Sequence, residues 1–282
     1  AVIGAGPAGL FAAYLLAQRG YCPHIYERGR AVKERQQDVE DFWNGGALDP
    51  ESNVQFGEGG AGTFSDGKLN TLVKDKFGRS RYVLETFVKF GAPEDILYVA
   101  KPHVGTDVLR DVISRMRQEI IRLGGTFHFS TKVTDLHIED GRISKIELNH
   151  KEWKDVSGVI LAIGHSARDT FEMLYERKVP MMAKSFAVGM RVEHPQDMIN
   201  ESQYGRNADM TLLPTAAYKV THQSSNGRGV YSFCMCPGGY VVNASSEEGR
   251  LAVNGMSYRS RDSKNANSAI IISQNRIIRF PA

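Results

Sequence analysis

Apolar and polar positions follow two different patterns along this chain, and the change lies close to Pro180. Before it, apolar stripes at helical spacing alternate with short apolar runs of strand length. After it, β-type runs follow one another, separated by Gly, Asn, Ser and Pro. Alternating helices and strands are typical of a helix-covered parallel sheet. The pattern therefore predicts an α/β domain over residues 1–180 and a mostly β (α+β), incomplete domain over residues 181–282.

The spacing also predicts individual elements. In the first part we expect helices over about residues 7–19, 79–91, 106–123 and 169–178, and a loose helical stripe over residues 27–43. We expect strands at residues 2–3, 24–26, 126–130, 132–138, 143–148 and 159–164. Thr106 or Asp107 is the expected cap of the third helix.

Two features of these elements bear on the fold class. The Asp140-Gly141 turn makes residues 132–148 a β-hairpin or meander, which stands where a plain NAD domain has a crossover helix. Residues 159–164 are apolar enough for a central parallel strand, so the chain is expected to rejoin the first sheet there. In the second part we expect strands at residues 186–192, 215–220, 230–236, 240–244 and 269–273.

The first 27 residues contain a nucleotide-binding signature in its full context. A strand leads through Gly4, Gly6 and Gly9 into an apolar helix, and a second strand ends at Glu27. These glycines permit the tight turn, the approach of a pyrophosphate and close helix packing, and the helix N-terminus favours anions. An acid near the position of Glu27 binds a ribose hydroxyl. The stretch predicts a dinucleotide site, rather than an ordinary glycine-rich turn.

A second glycine-rich segment covers residues 44–70 and holds seven of the 28 glycines. A flexible linker is one interpretation, but Phe56, Phe64 and Leu69 are poor linker residues. Glycines interleaved with Thr, Ser, Asp and Lys suit a backbone pressed against a planar ligand or its phosphates. We favour an ordered ligand-contacting loop.

Charge and composition exclude several classes of protein. The net charge of +3 implies no polyanion partner, and the longest apolar run, Leu10 to Ala17, is too short to span a bilayer. Three cysteines give no disulfide framework, which suits a cytoplasmic location. Arg28, Arg30 and Arg35 could neutralise a pyrophosphate; a solvated helix face is the alternative for Arg30 and Arg35.

Four arginines within residues 110–122 could contact nucleic acid, although such a stripe is more often a solvated helix face. Cys234 and Cys236 should be neighbours on one face of a strand, either as ordinary strand cysteines or in a substrate cavity. Their spacing is not that of a thioredoxin-like motif. The scattered histidines give no metal site, so none is expected. His165 and Arg191 could face a bound ligand, with structural roles as the alternative.

Several separated blocks of the sequence resemble a known family. They are GAGPAGL (4–10), YERG (26–29), FGEGGAGTFSDGKLNT (56–71), GVILAIGHSARDT (158–170), AVGMRVEHP (187–195), FCMCPGGYVVNASSE (233–247) and NGMSYRSR (254–261). The set resembles FAD-binding proteins of the glutathione-reductase-like superfamily. More closely, it resembles the group usually labelled uncharacterised FAD-dependent, or NAD(FAD)-utilising, dehydrogenases. The resemblance implies a Rossmann-like FAD domain with a β-meander insertion and a second domain.

The same resemblance implies roles for individual residues. Gly4, Gly6, Pro7, Ala8 and Gly9 would wrap the FAD pyrophosphate, and Glu27 would hold the adenosine ribose. The segment near the pyrophosphate, ribityl chain and flavin would comprise Gly60, Ala61, Gly62, Thr63, Phe64 and Ser65. Val133 would meet the adenine through its backbone, and Ala162 to Gly164 would pass under the dinucleotide.

One expected segment has no counterpart. Such proteins return near their C-terminus with a Gly-Asp segment that binds the flavin, and none follows the β-rich part here. Either residues outside this sequence complete the site, or FAD is bound weakly. Both ends of the sequence look cut, so we expect an excerpt of a longer protein.

The functional expectation is an FAD-dependent oxidoreductase of unassigned catalytic residues, acting on a small organic substrate with NAD(P)H as a transient electron partner. Neither nucleic acid nor membrane is an expected partner. The alternatives are a tRNA-modifying flavoprotein, suggested by the arginines of residues 110–122, and a non-catalytic FAD-binding module.

Overall fold

The computed structural model describes residues 1–69, 71 and 74–274. Its α-helices are α1 (Pro7–Ala17), α2 (Val32–Trp43), α3 (Arg79–Lys89), α4 (Thr106–Arg122), α5 (Arg168–Glu176) and α6 (Gln196–Tyr204). Short 3-10 helices cover Ala61–Phe64 and Glu94–Leu97. The strands of the first part are β1 (Val2–Ile3), β2 (His24–Tyr26), β3 (Thr126–His128), β4 (Val133–Glu139), β5 (Arg142–Leu148), β6 (Glu152–Asp155) and β7 (Ile160–Leu161). Those of the second part are β8 (Phe186–Pro195), β9 (Thr221–Gln223), β10 (Gly229–Cys236), β11 (Gly239–Asn243), β12 (Val253–Ser257) and β13 (Asn265–Gln274).

The first sheet is parallel and has the order β3-β2-β1-β7. Successive residues of a strand face opposite sides, and β1 shows what each side packs against. Val2 belongs to a core that contains the buried faces of α1 and α4, whereas Ile3 belongs to one built with β4, β5 and α5. The sheet is therefore a layer between helices on one side and the β4–β5–β6 meander with α5 on the other.

Helix α4 illustrates how the sequence forms the helical layer. Its apolar residues recur at intervals of three or four, which places them on one side of a helix. The residues of this stripe are buried, namely Leu109, Val112, Ile113, Met116 and Ile120, whereas Ile121 outside it is 50% exposed. Burying such a stripe contributes about 1.5–3 kcal/mol for each large side chain. This stripe anchors α4 against α1, the helix that begins at the Gly4 turn.

The second part contains an antiparallel sheet of order β8-β13-β10-β9 and a separate hairpin of β11 and β12. Strand β8 exposes alternate apolar residues on one face, and helix α6 packs near its end, with Ile199 in a small core beside Met235. The expected mostly β second domain and the Rossmann-like first domain with its meander are both confirmed. The domain boundary at residue 180 stays a prediction.

Three local predictions were wrong. Residues 159–164 were expected to form a central strand, but β7 lies at the edge of the described sheet and its two residues are each 40% exposed. Residues 215–220 form no strand; pairing with β10 begins only at Thr221. Helix α4 is preceded by Gly105 at φ +82°, and no side chain among the described residues caps it with a hydrogen bond.

Candidate functional site

A cavity of about 540 Å³ opens at the carboxyl ends of β1, β2 and β7. In open α/β sheets ligands bind in this position, at the point where the strand order reverses. Here β1 is followed in sequence by β2 on one side and is flanked by β7 on the other, so the cavity lies at that reversal. Twelve of the residues expected to bind a cofactor line it: Gly4, Gly6, Pro7, Ala8, Glu27, Arg28, Gly60, Ala61, Gly62, Val133, Ala162 and Gly164.

The Gly4 turn owes its shape to close backbone approaches. Gly4 has φ +100°, and a Cβ there would lie 2.4 Å from the carbonyl oxygen of Ala162. A Cβ on Gly9 would lie 1.9 Å from the carbonyl oxygen of Gly4. Gly9 is not among the residues that line the cavity. Its missing side chain lets the first turn of α1 pack against the backbone of Gly4. Pro7 occupies the first turn of α1, where a missing N–H costs nothing.

The glycine segment lies against this turn. The Gly59 amide donates to the carbonyl oxygen of Ala5 at 2.8 Å. A Cβ on Gly60 would lie 3.2 Å from the Cα of Gly6, whereas a Cβ on Gly6 would lie 3.8 Å from the Cα of Gly60, which is ordinary contact. The two glycines leave a backbone-walled slot at the N-terminus of α1. Such a slot fits a diphosphate, because unpaired helix N–H groups and the helix dipole favour anions.

Glu27 sits between the opening turn and the glycine segment. Its carboxylate accepts hydrogen bonds from the amides of Ala5 at 2.7 Å and of Gly29 and Gly57 at 2.9 Å each. The side chain is buried yet lines the cavity. Glu27 thus fixes the cavity wall, and a carboxylate in this position is also the expected partner of a ribose.

Arg35 is placed differently from the prediction. Its guanidinium is fully buried below the cavity wall and does not line the cavity. It donates to five carbonyl oxygens, those of Asn53, Val54, Gly57, Glu58 and Gly60, at 2.7–3.3 Å. Burial lowers the pKa of Arg35 to about 10. The group therefore organises the glycine segment, and a direct pyrophosphate contact would require leaving these carbonyls.

Arg28 lies at the cavity wall within an ion-pair network. Its Cζ lies 4.1 Å from the centre of the Phe56 ring, and its guanidinium pairs with Glu51 at 2.5 Å and with Asp169 at 2.9 Å. Lys132, which sequence reasoning missed, joins the same two carboxylates and also lines the cavity. Burial would raise the pKa of Asp169, but hydrogen bonds from Arg28 and Lys132 hold it far below its usual value. The network is neutral overall.

Three predicted residues of the glycine segment lie outside the cavity wall. Thr63 and Phe64 are buried, Phe64 under the Arg35 guanidinium at 4.8 Å, and the Ser65 hydroxyl donates to the Gly62 carbonyl at 3.0 Å. Of the two residues that could face a bound ligand, His165 lines the cavity and Arg191 does not. Asn70, the last residue of the glycine-rich segment, lies outside the described residues.

Asp66 joins the glycine segment to the second part of the chain. It accepts a hydrogen bond from the Ser257 hydroxyl and pairs with Lys68 and with Arg261, both at 3.0 Å. Burial would raise the pKa of Asp66, but Lys68, Arg261 and the Ser257 hydrogen bond hold it below its usual value. Sequence reasoning missed this contact, although the charged residues within the glycine run were its visible signal.

Three of the four arginines of residues 110–122 have partners within the protein. Arg115 donates to the Phe90 carbonyl at 3.2 Å, Arg117 pairs with Glu58 at 2.9 Å and Arg122 pairs with Glu119 at 2.7 Å. Among the described residues, no helix is long and apolar enough to cross a membrane. The same ranges contain no group of three or more His, Cys, Asp or Glu side chains that could hold a metal ion.

Comparison with known proteins matches both parts of the chain. Residues 2–38 match an NAD(P)-binding Rossmann-like domain, and residues 185–280 match the family described as FAD-dependent protein, C-terminal domain-like. A Clostridium beijerinckii protein described as uncharacterized is 54% identical over 273 residues, which cover 96% of this chain and 51% of that protein. The chain thus spans about half the length of this curated relative.

Solved structures show more remote similarity. PqsL, a probable FAD-dependent monooxygenase from Pseudomonas aeruginosa, is 10% identical, with 96% of this chain and 59% of that chain covered and a TM-score of 0.45. THI4 from Thermovibrio ammonificans is 17% identical, with 64% and 62% covered and a TM-score of 0.39. At these values no property transfers from either protein. The chain thus has a Rossmann-like domain before a mostly β part that is similar to an FAD-dependent protein, and the two matched regions support FAD as its cofactor.

Proposed function

We propose that this chain belongs to an FAD-dependent oxidoreductase that acts on a small organic substrate, with NAD(P)H as a transient electron partner. Within that class we place it in the NAD(FAD)-utilising dehydrogenase group of the glutathione-reductase-like superfamily. The observation that carries the proposal is the slot between Gly6 and Gly60, which lies at the N-terminus of α1 and beside Glu27.

The chain's own residues would divide the work of holding the cofactor. The turn at Gly4, Gly6 and Pro7 would take the diphosphate, Glu27 the adenosine ribose, and the backbone of Val133 the adenine. When bound, FAD supplies the hydride or electron transfer, and the protein supplies placement and exclusion of side reactions. Arg28 and Lys132 are already neutralised by carboxylates, so the helix N-terminus is the main source of positive potential for the diphosphate.

We also propose that the chain divides into an FAD-binding domain over residues 1–180 and a β-rich domain over residues 181–282. The parallel sheet takes no described strand from beyond β7, and the β8-containing sheet takes none from before β8. The second part contacts the glycine segment through Asp66 and Lys68. We propose that the substrate binds between this segment and the β-rich part. Location in the cytosol stays a prediction.

The test is an anaerobic absorption experiment on the full-length protein. We expect a yellow protein whose extracted cofactor is FAD and whose flavin absorbance bleaches on mixing with NADH or NADPH in a stopped-flow instrument. Bound FAD that no nicotinamide reduces, and that no small-molecule screen oxidises or reduces catalytically, would favour the non-catalytic binding module. A colourless protein that takes up no added FAD would refute the proposal.

A further inference from the structure

Two cysteines lie at an irregularity in strand β10. Phe233 pairs with Ala269 and Cys236 pairs with Asn267, so β10 has one residue more than β13 between the two pairs. This is a β-bulge, a feature that redirects side chains and occurs often beside functional sites. Cys234 within it has φ +51°, a conformation that is uncommon for a residue other than glycine. Because of the bulge, the side chains of Cys234 and Cys236 do not follow the regular alternation of a β-strand.

Hydrogen bonds bring the two cysteines together. The Cys236 thiol lies 3.3 Å from the carbonyl oxygen of Cys234, to which it donates. The two thiols are also close enough that each shifts the pKa of the other. Arg191 donates to the same carbonyl oxygen at 3.2 Å, and its Nη1 lies 4.0 Å from the Cys236 sulfur. The pair is therefore fixed by side-chain and backbone contacts.

Two cations from separate parts of the chain converge on this bulge. Arg191 comes from β8, and the Lys68 ammonium, from the glycine segment, donates to the Met235 carbonyl. The opposing charge is Asp66, which Lys68 and Arg261 already neutralise. The hydrogen bond from Cys236 lowers the pKa of the Cys234 thiol, against the effect of burial, and Lys68 and Arg191 lower it further. The same hydrogen bond and burial raise the pKa of Cys236.

The two sulfurs differ in accessibility in the order that thiol–disulfide exchange requires. Cys234 is half-buried and Cys236 is fully buried. The thiolate is the attacking species, and cationic neighbours favour it. A partly exposed thiol of lowered pKa beside a buried thiol of raised pKa matches an attacking and a resolving cysteine.

We propose that Cys234 and Cys236 form a reversible dithiol–disulfide site that reacts with low-molecular-weight disulfides. The Cys234 thiolate attacks one sulfur of the external disulfide, forming a mixed disulfide and releasing one thiolate. Cys236 then loses its proton and attacks the Cys234 sulfur, which releases the second thiolate and leaves an internal disulfide. The external disulfide gains two electrons and the cysteine pair loses two. The inference goes beyond the proposed function, because this exchange requires no flavin.

The test uses glutathione disulfide as the probe on the reduced full-length protein, under anaerobic conditions. Non-reducing peptide mass spectrometry should find an internal disulfide between Cys234 and Cys236, with release of two reduced glutathione molecules for each such pair and reversal by dithiothreitol. Exposed Cys22 is the internal control, since a lone thiol can form only a mixed disulfide with glutathione, and the matched variant Cys22→Ser should still form the Cys234–Cys236 disulfide. An unchanged Cys234–Cys236 pair in folded wild-type protein would overturn the proposal.

Two variants test the order of attack. Cys236→Ser should stop at a stable mixed disulfide of glutathione with Cys234, and Cys234→Ser should form none at the bulge. Lys68→Met should slow alkylation of Cys234 at pH 7 by up to about tenfold, which corresponds to one unit of thiol pKa. Stable mixed disulfide at Cys236 in the Cys234→Ser variant would contradict the assignment. Since the exchange is read from wild-type masses, its failure is distinguishable from failure to bind or reduce FAD.

Discussion

At the scale of single residues, Arg35 shows how a buried charge can shape a loop that has almost no regular structure. Its five hydrogen bonds to carbonyl oxygens connect residues 53–60, and only the planar guanidinium has donors in a fork that can reach so many. A Cβ on Gly57 would lie 2.3 Å from the Cδ of Arg35. The cation and the glycine segment therefore require one another.

Replacing Arg35 tests this interdependence. Arg35→Met should lower the free energy of unfolding by at least about 3 kcal/mol, since buried carbonyls left without a donor cost about 1–3 kcal/mol each. Arg35→Lys should recover only part of the loss, because an ammonium has three donors. Urea unfolding of both variants measures the difference, with Arg30→Met as the control at a half-exposed arginine. Equal stability of Arg35→Met and wild type would contradict this role.

The position of a residue at the site was predictable where it depends on the local backbone alone. Gly4, Gly6 and Glu27 act through the backbone of one turn, and their spacing alone indicated their positions. The partners of Arg35 and Asp66 depend on where distant segments meet. The sequence therefore indicated a positive charge at Arg35 near the site. It did not indicate that the guanidinium binds the carbonyl oxygens of a loop rather than a phosphate.

At the scale of elements, long amphipathic segments were predicted well and short ones less well. The apolar stripe of α4 and the hairpin of β4 and β5 are each encoded by a repeating pattern within one short stretch of sequence. Strand β7 has two residues, and its apolar sequence suggested a central position that the sheet order does not give it. Position within a sheet depends on long-range pairing, which hydrophobicity does not encode.

The meander should contribute strongly to stability through its buried face. Ile146 on β5 is fully buried beside Leu136 and Ile3, whereas Ile138 on β4 is 38% exposed. Ile146→Ala should cost about 2–5 kcal/mol, because it removes buried methyl groups and leaves a cavity. Ile138→Ala is the control and should cost less than about 1 kcal/mol. Thermal unfolding of the two variants decides, and similar losses would mean that this layer is not a packed core.

At the scale of the whole molecule, buried and partly exposed polar contacts hold the two parts together. Asp66 reaches Ser257 and Arg261, Trp43 donates to the Asn243 carbonyl at 2.8 Å, and Arg259 pairs with Asp95 at 2.6 Å. These contacts link residues that are far apart in the sequence, so no local pattern predicted them. The fold classes of both parts were predictable; the way they join was not.

His103 should make this junction sensitive to acid. Burial and the charge of Arg261 lower its pKa to about 4 despite nearby Asp66, and Arg259 adds to the shift. The unfolded chain, with a histidine pKa near 6.5, binds a proton that the folded chain excludes, so stability present above that value is lost as pH falls toward 4. The loss from this group is on the order of 3 kcal/mol over the shift from 6.5 to about 4.

The measurement is the free energy of unfolding between pH 7 and pH 4 for wild type and His103→Gln. The glutamine variant should lose less stability over that range, since its side chain takes up no proton. His150→Gln, at an exposed histidine, is the control and should follow the wild type. Parallel pH profiles for wild type and His103→Gln would contradict a buried neutral His103.

The central claim is that the slot between Gly6 and Gly60 holds the FAD diphosphate, and a calorimetric titration of FAD into deflavinated full-length protein tests it most directly. Gly6→Ala meets no atom closer than 3.8 Å, so the variant should fold while its methyl group enters the slot. Gly158→Ala, which meets nothing within 4 Å, is the matched control. We predict that Gly6→Ala weakens FAD binding by at least about tenfold, or 1.4 kcal/mol, and that Gly158→Ala leaves it unchanged. Equal FAD affinity in all three folded proteins would contradict the account.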